Sequence, residues 1–195
     1  MTDTDRSPTR RGVIAATVLA AAVIAPLTAD AQPQAGALHH IGALHDFDFL
    51  VGRWDVRHRR LKARLAGSTE WEKFNGTCVM WLTMDGAGTV DDNVLELPSG
   101  TYRAVGIRAF DPKTRQWSIW WLDARTPDIE PPVRGGFKDG VGTFVGDDVY
   151  NGRPIKVRFI WSQITPTSAH WEQAFSPDGG ATWETNWRMD FTRAG

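Results

Sequence analysis

From Ala169 to Arg193 the chain reads AHWEQAFSPDGGATWETNWRMDFTR, and apolar and polar positions alternate along both halves of this stretch. After the turn, Trp183, Thr185, Trp187, Met189 and Phe191 share one side, and Glu184, Asn186, Arg188, Asp190 and Thr192 share the other. That period of two defines a half-buried strand. Before the turn, Trp171, Gln173 and Phe175 oppose His170, Glu172 and Ala174, and the Gly-rich PDGGA joins the two runs. A β-hairpin is predicted, apolar on one face and polar on the other.

The same alternation recurs upstream and predicts ten strands: Arg53 to Lys62, Thr69 to Met84, Thr89 to Leu97, Tyr102 to Asp111, Gln116 to Asp123, Val133 to Lys138, Gly142 to Val149, Pro154 to Ile164, Ser168 to Ser176 and Thr182 to Arg193. Turn-forming segments such as MDGAG, LPSG, DPKTR, KDG and YNGR separate most of them. No segment sustains a helical period. Only DFDFLV, Asp46 to Val51, suits a short helical turn, which lays Phe47 and Leu50 on a core.

Connections this short force antiparallel neighbours, because a parallel crossover needs about a dozen residues. Ten strands in meander order exceed what a flat sheet tolerates. The expected fold is therefore all-β, a ten-stranded antiparallel up-and-down barrel, with a two-sheet sandwich as the competing arrangement. Closure pairs the last strand with the first and brings Arg193 beside Trp54 at the end holding both chain termini. The longest linker, DARTPDIEPPVRGG from Asp123 to Gly136, then lies at the opposite end, which is taken as the mouth.

Composition narrows the functional classes. The net charge is -1 and the basic residues are dispersed, so nothing points to nucleic acid or an anionic membrane surface. Ten tryptophans in 195 residues serve either as core filler or as the lining of a small-molecule cavity. The single cysteine, Cys78, cannot form an intramolecular disulfide, so burial alone must hold the fold.

Met1 to Ala31 reads as a cleavable export signal: Arg10 and Arg11, an apolar run from Val13 to Ile24, then Ala29-Asp30-Ala31. The apolar run is too short to span a membrane comfortably. The expected product is a periplasmic or secreted protein without an integral membrane segment after signal removal. It starts at Gln32, with a lead-in over residues 32–45 and one barrel domain over residues 46–195.

Several residues carry candidate chemistry. Tyr102, Ala104, Gly106, Arg108 and Phe110 share a strand face, and the small Ala104 and Gly106 leave room beside Arg108. If that face is inward, Arg108 is a cavity cation for an acidic or carbonyl ligand. If Val105 and Ile107 take the inside instead, Arg108 is solvated. Trp117, Ile119, Trp121 and Asp123 make another face, followed at the mouth by Arg125, Asp128 and Arg134, a cluster suited to a small anion or a sugar ring, or to a salt-bridged rim. Trp161 and Trp171 join Trp121 as expected lining of the interior.

Asp91-Asp92 and Asp147-Asp148 are adjacent pairs whose members point to opposite strand faces, so neither pair makes a dyad, and both read as turn and strand-edge polarity. His58 shares a face with Trp54 and Val56 and is the histidine best placed for general-base work, or for a single hydrogen bond in the core. His39, His40 and His45 lack a metal-ligand frame, and no motif implies a cofactor. Three readings stand: a binding module for a small apolar or amphipathic molecule, a metal-independent hydratase, isomerase or hydrolase using His58, Asp123 or Glu172 with Arg108, and a structural envelope protein with a filled core.

Five resemblances add to this. Thr9-Arg10-Arg11-Gly12-Val13-Ile14 resembles the twin-arginine signal, the alternative being an ordinary secretory signal holding two arginines. Gly52-Arg53-Trp54, with Arg193 at the far end, resembles the lipocalin and calycin pattern, which implies that the tryptophan closes the barrel floor and the arginine packs across it. Ser176-Pro177-Asp178-Gly179-Gly180-Ala181-Thr182-Trp183 matches the Asp-box, a hairpin-turn motif that recurs in propellers and stands here once. The phrases SIWWLD, PPVRGGF, VGTFVGDD and WEQAFSPDGGATWETNW resemble an exported bacterial family catalogued as domain of unknown function 1579, implying a calycin-like barrel with no established activity. Nitrobindin-like haem barrels are similar in architecture, and that resemblance implies haem held by a histidine late in the chain. The late histidine here is His170, which alternation places on the polar face with Glu172, and the chain lacks that family's further glycines after Trp54.

Overall fold

The computed structural model describes residues 44–195. The expected export signal, and the lead-in as far as residue 43 with His39 and His40, lie outside the described residues. Ten strands follow a 3-10 turn at Asp48–Leu50: β1 (Gly52–Leu61), β2 (Trp71–Thr83), β3 (Gly88–Leu97), β4 (Gly100–Asp111), β5 (Gln116–Asp123), β6 (Val133–Lys138), β7 (Val141–Tyr150), β8 (Arg153–Ser162), β9 (Ser168–Ser176) and β10 (Glu184–Arg193). Each pairs antiparallel with its sequence neighbours, and β1 pairs with β10 to close the barrel, Trp54 opposite Arg193. The expected up-and-down barrel is the observed fold. No helix among the described residues is long and apolar enough to cross a membrane.

Local chemistry explains the meander. Asn151 and Gly152 take φ of 50° and 75° between β7 and β8, and Asp139 and Gly140 take 51° and 77° between β6 and β7. Two successive positive φ values match the right-handed twist of the flanking strands, and Asn-Gly and Asp-Gly reach them at least cost. The turn after β9 is built from side chains: Asp178 Oδ1 accepts the Thr182 N–H at 2.9 Å, Asp178 Oδ2 accepts the Thr182 hydroxyl at 2.6 Å, and Ser176 Oγ accepts the Gly180 N–H at 2.8 Å.

One predicted alternation is corrected. The register between β9 and β10 shifts between Thr185 and Trp187, so Asn186 and Trp187 are both buried. This bulge ends the run that the sequence carries through Trp183 and Thr185. Trp183 precedes the strand: its indole N–H donates to the Gly180 carbonyl at 3.0 Å, and the Arg158 guanidinium lies 4.4 Å over its ring.

The floor is a plug of short-range structure. Phe47 and Leu50 are buried, and the Phe47 ring meets Trp117 and Phe137 edge-on at 5.1 and 5.2 Å. The Trp54 indole N–H donates to the Leu50 carbonyl at 2.8 Å. Arg193 lies 4.1 Å over the Trp54 ring and donates to the carbonyls of Val51, Phe49 and Pro166 at 2.8, 2.8 and 2.7 Å. One guanidinium thereby ties the plug, the β8–β9 turn and the closing strand together. His45, at the start of the described chain, is bonded to Asp48 at 2.8 Å.

The barrel wall is thinnest at β6. This strand pairs with β5 only through Trp117, Ser118 and Ile119. Beyond Ile119, β5 continues to Asp123 without that partner.

Candidate ligand-binding site

β3 and β4 supply the polar part of the interior. Thr89, Asp91 and Asn93 of β3 are buried, as are Ala104, Gly106 and Arg108 of β4, while Val90, Val105 and Ile107 face outward and are half-buried. In the ladder Asp91 stands opposite Gly106, Asn93 opposite Ala104 and Thr89 opposite Arg108. A Cβ on Gly106 would come within 2.6 Å of both Asp91 carboxylate oxygens, so the missing side chain is what lets the carboxylate lie across β4.

The Asp91 carboxylate is fully used. Arg108 Nη1 donates to its Oδ2, Asn93 Nδ2 donates to its Oδ1, and the Gly106 N–H donates to Oδ1 at 3.1 Å. Arg108 also donates to the Thr89 hydroxyl at 3.3 Å, and its guanidinium lies 4.9 Å from the Phe47 ring and 6.0 Å from the Trp161 ring. The side chains of Arg108 and Asp91 are only 7% and 2% exposed, so the pair is desolvated and depends on this bonding.

Above the plug lies a cavity of about 130 Å³. Leu50 forms part of its base, Asp91 and Arg108 one wall, and Trp121, Trp161, Trp171 and Trp187 much of the rest. Trp187 meets Trp171 edge-on at 5.7 Å and Trp121 at 6.1 Å, which fixes the indoles against one another. Glu130 and Pro131 of the linker and Asp147 and Asp148 of β7 border its outer end. Glu130 has its pKa raised by partial loss of hydration and by the nearby Asp148 and Asp128. Among the residues lining the cavity, Arg108 Nε and the Trp161 indole N–H are buried donors without partners.

The structure sorts the residues singled out in the sequence. Arg108, Trp121, Trp161 and Trp171 line one cavity. The alternative with Val105 and Ile107 inside is not adopted. Asp123, Arg125 and Arg134 do not join them: Asp123 accepts from Arg125 at 3.0 and 2.6 Å, Arg125 stacks 3.6 Å over Tyr102, and Arg134 is exposed on the outer face of β6. The reading of Asp91 as strand-edge polarity is corrected, since it is a buried ion-pair partner, while Asp92 points outward to Arg103. Asp91, Asn93, Gln173, Cys78 and Met189 are lining residues that sequence reasoning passed over. The available signal was the match of acid and amide on one strand to two small residues and an arginine on the next. Burial, then the Asp91 charge, raise the Cys78 thiol pKa well above its usual value.

The groups proposed for acid–base work are dispersed. His58 is buried behind Trp187, whose indole N–H donates to its Nδ1 at 3.2 Å, and it stacks on Phe74 at 4.6 Å. Burial and then Arg60 push its pKa down to about 3. Glu172 lies on the outer face, accepting from Arg188 at 2.7 Å. His170 is beside it, bonded to Asp190 at 2.7 Å. No histidine lines the cavity among the described residues. The residues present do not fit a histidine-held haem. Among the described residues no group of three or more His, Cys, Asp or Glu converges to hold a metal ion.

No protein-family model matches the chain. No curated protein matches it either. Solved structures share its fold, among them these two. Rv2717c from M. tuberculosis superposes with a TM-score of 0.55 at 9% identity, over 78% of this chain and 98% of that one. The S-type phycobiliprotein lyase CPES from Guillardia theta gives a TM-score of 0.54 at 13% identity, over 84% and 99%. The shared architecture is a β-barrel.

Proposed function

We propose that this barrel binds a small, mostly apolar molecule of about one ring, which presents a hydrogen-bond acceptor to Arg108 and Trp161. The observation that carries this reading is the pair of buried donors without partners among the lining residues of one indole-walled cavity. An unmet buried donor costs about 1–3 kcal/mol, and a ligand acceptor removes that cost. The volume, about 130 Å³, is close to that of apolar protein cavities of ~150 Å³ that take up benzene. Asp91 already balances the Arg108 charge, and carboxylates border the outer end, so a neutral carbonyl or amide suits the site better than an ionised acid.

Tryptophan fluorescence titrated with benzamide, toluene and benzoate tests this. Benzamide is expected to bind most tightly, with toluene losing the acceptor and benzoate adding an uncompensated charge. Absence of any response to all three rings rejects the reading. Native mass spectrometry of protein purified from its own source would identify a retained ligand directly.

We further propose that the chain is exported to the cell envelope and belongs to the exported family its phrases resemble. The Arg10-Arg11 segment and the apolar run behind it support export. Cell fractionation tests it: an Arg10→Lys, Arg11→Lys double variant should accumulate as precursor inside the cell, and equal export of both forms counts against the twin-arginine route.

A further inference from the structure

A second group of cations gathers beyond Trp187, and the cavity does not use it. Arg60 of β1 lies 5.5 Å over the Trp187 ring and 5.4 Å over Phe74, and donates to Glu72 at 3.3 Å. Tyr102 also lies near it. Arg125 stacks on that same Tyr102, with its Nε and Nη2 donating to Asp123. Arg64 follows β1 in the loop before β2. Its neighbour Leu65 takes a left-handed φ of 53° and donates its N–H to the Glu184 carboxylate at 2.7 Å, which anchors the loop to β10. Thus held, Arg64 is half-buried, its guanidinium 5.8 Å from the Phe175 ring.

The charges around Arg64 do not balance. Burial first, and then the nearby Arg60 and, more weakly, Arg125, hold its pKa below the usual arginine value, while the Tyr150 and Tyr102 phenols act the other way. Glu72 and Asp123 are engaged by Arg60 and Arg125, and among the described residues no carboxylate pairs with Arg64. Three guanidiniums therefore share two carboxylates. An unpaired, partly desolvated cation beside two others is unfavourable unless an anion joins it. Guanidinium forks and phenol hydroxyls are the donors that planar or tetrahedral oxyanions take up.

We propose that the mouth of the barrel holds an oxyanion site centred on Arg64, with Arg60 and Arg125, which takes the carboxylate or phosphate group of a small solute. This site is separate from the cavity at Arg108, whose charge Asp91 already neutralises.

The test compares inorganic phosphate and acetate with chloride at equal ionic strength, read by isothermal titration and by the thermal midpoint, on the full chain. Wild type and Arg59→Gln, which removes an exposed arginine 3.5 Å from Asp190 on the outer face, should show the same midpoint rise and affinity. Arg64→Gln should lose at least tenfold in affinity, yet melt in chloride at or above the wild-type midpoint, because a repelled charge is gone. Arg64→Lys should fall between. A preference for phosphate or for acetate names the group recognised. Equal affinity in Arg64→Gln and wild type, or no response of the wild type to either anion, overturns the site. Benzamide binding should be unchanged in Arg64→Gln, so this proposal fails or stands apart from the cavity.

Discussion

Gly106 shows how much one absent side chain arranges here. A methyl group placed on it would meet the Asp91 carboxylate at 2.6 Å, and both strands are packed on their far sides. Gly106→Ala should lose about 1–3 kcal/mol in urea unfolding, the usual cost of overpacking, and with it the Arg108 contact. Asp91→Asn leaves the Arg108 charge uncompensated in the interior and should cost roughly 3–5 kcal/mol. Replacing both, as Asp91→Leu with Arg108→Met, should recover most of that stability while abolishing benzamide binding.

His58 makes a pH prediction. Its folded pKa is about 3 against an ordinary histidine value of 6.5, so the native state keeps it neutral while the unfolded chain takes up a proton below pH 6.5. The stability this neutral histidine contributes is fully present above about pH 6.5 and is lost progressively as the pH falls toward 3. Urea midpoints at pH 7, 5 and 4 should drop steadily, and His58→Phe should flatten that slope. An unchanged slope in the variant assigns the effect to other groups.

Among the elements, β10 bears the closure. Its last residue, Arg193, spans three carbonyls from two other segments and covers the Trp54 ring. Arg193→Ala should cost about 2–4 kcal/mol in chemical unfolding, the sum of charge-assisted hydrogen bonds and a cation–π contact, discounted for partial exposure. Arg193→Lys should restore less than half, because an ammonium cannot reach three acceptors from one plane. In the β9–β10 turn, Asp178 has its pKa lowered to about 2, first by the Thr182 hydroxyl and amide. Its contribution is present above about pH 3.8 and fades as the pH falls through 2, and Asp178→Ala should lower the thermal midpoint at neutral pH.

The element scale also shows where the linear pattern misleads. Asn186 sits in a run whose alternation looks unbroken, yet it is buried beside Trp187 because β9 holds the register on the other side. A bulge belongs to a pair of strands, and one strand's residue order does not reveal it. In β3 and β4 the outward residues Val90, Val105 and Ile107 are as apolar as many inward ones, so counting apolar residues does not choose the face. The choice follows from Asp91, Asn93 and Arg108 satisfying one another across the ladder.

For the whole molecule, the cavity is the property to alter. Val157 is buried in its wall, and Val157→Phe places a ring in the space. The variant should unfold within about 1.5 kcal/mol of wild type, since the added volume fills a void, while benzamide binding is lost. A large destabilisation would show that the interior has no room to give.

Strand number, order, antiparallel pairing and closure were present in the sequence, because side-chain period and turn chemistry are local: each strand carries its own alternation, and each Asn-Gly or Asp-Gly its own backbone preference. The meeting of Trp54 and Arg193 followed from closure. What the tertiary structure alone decided was which face of β3 and β4 turns inward, that Asp91 and not Asp123 partners the interior arginine, and that Arg64 stands unpaired among other arginines while Arg134 faces water. Those outcomes depend on volume and charge balance among side chains from different strands, quantities that exist only once the strands are brought together.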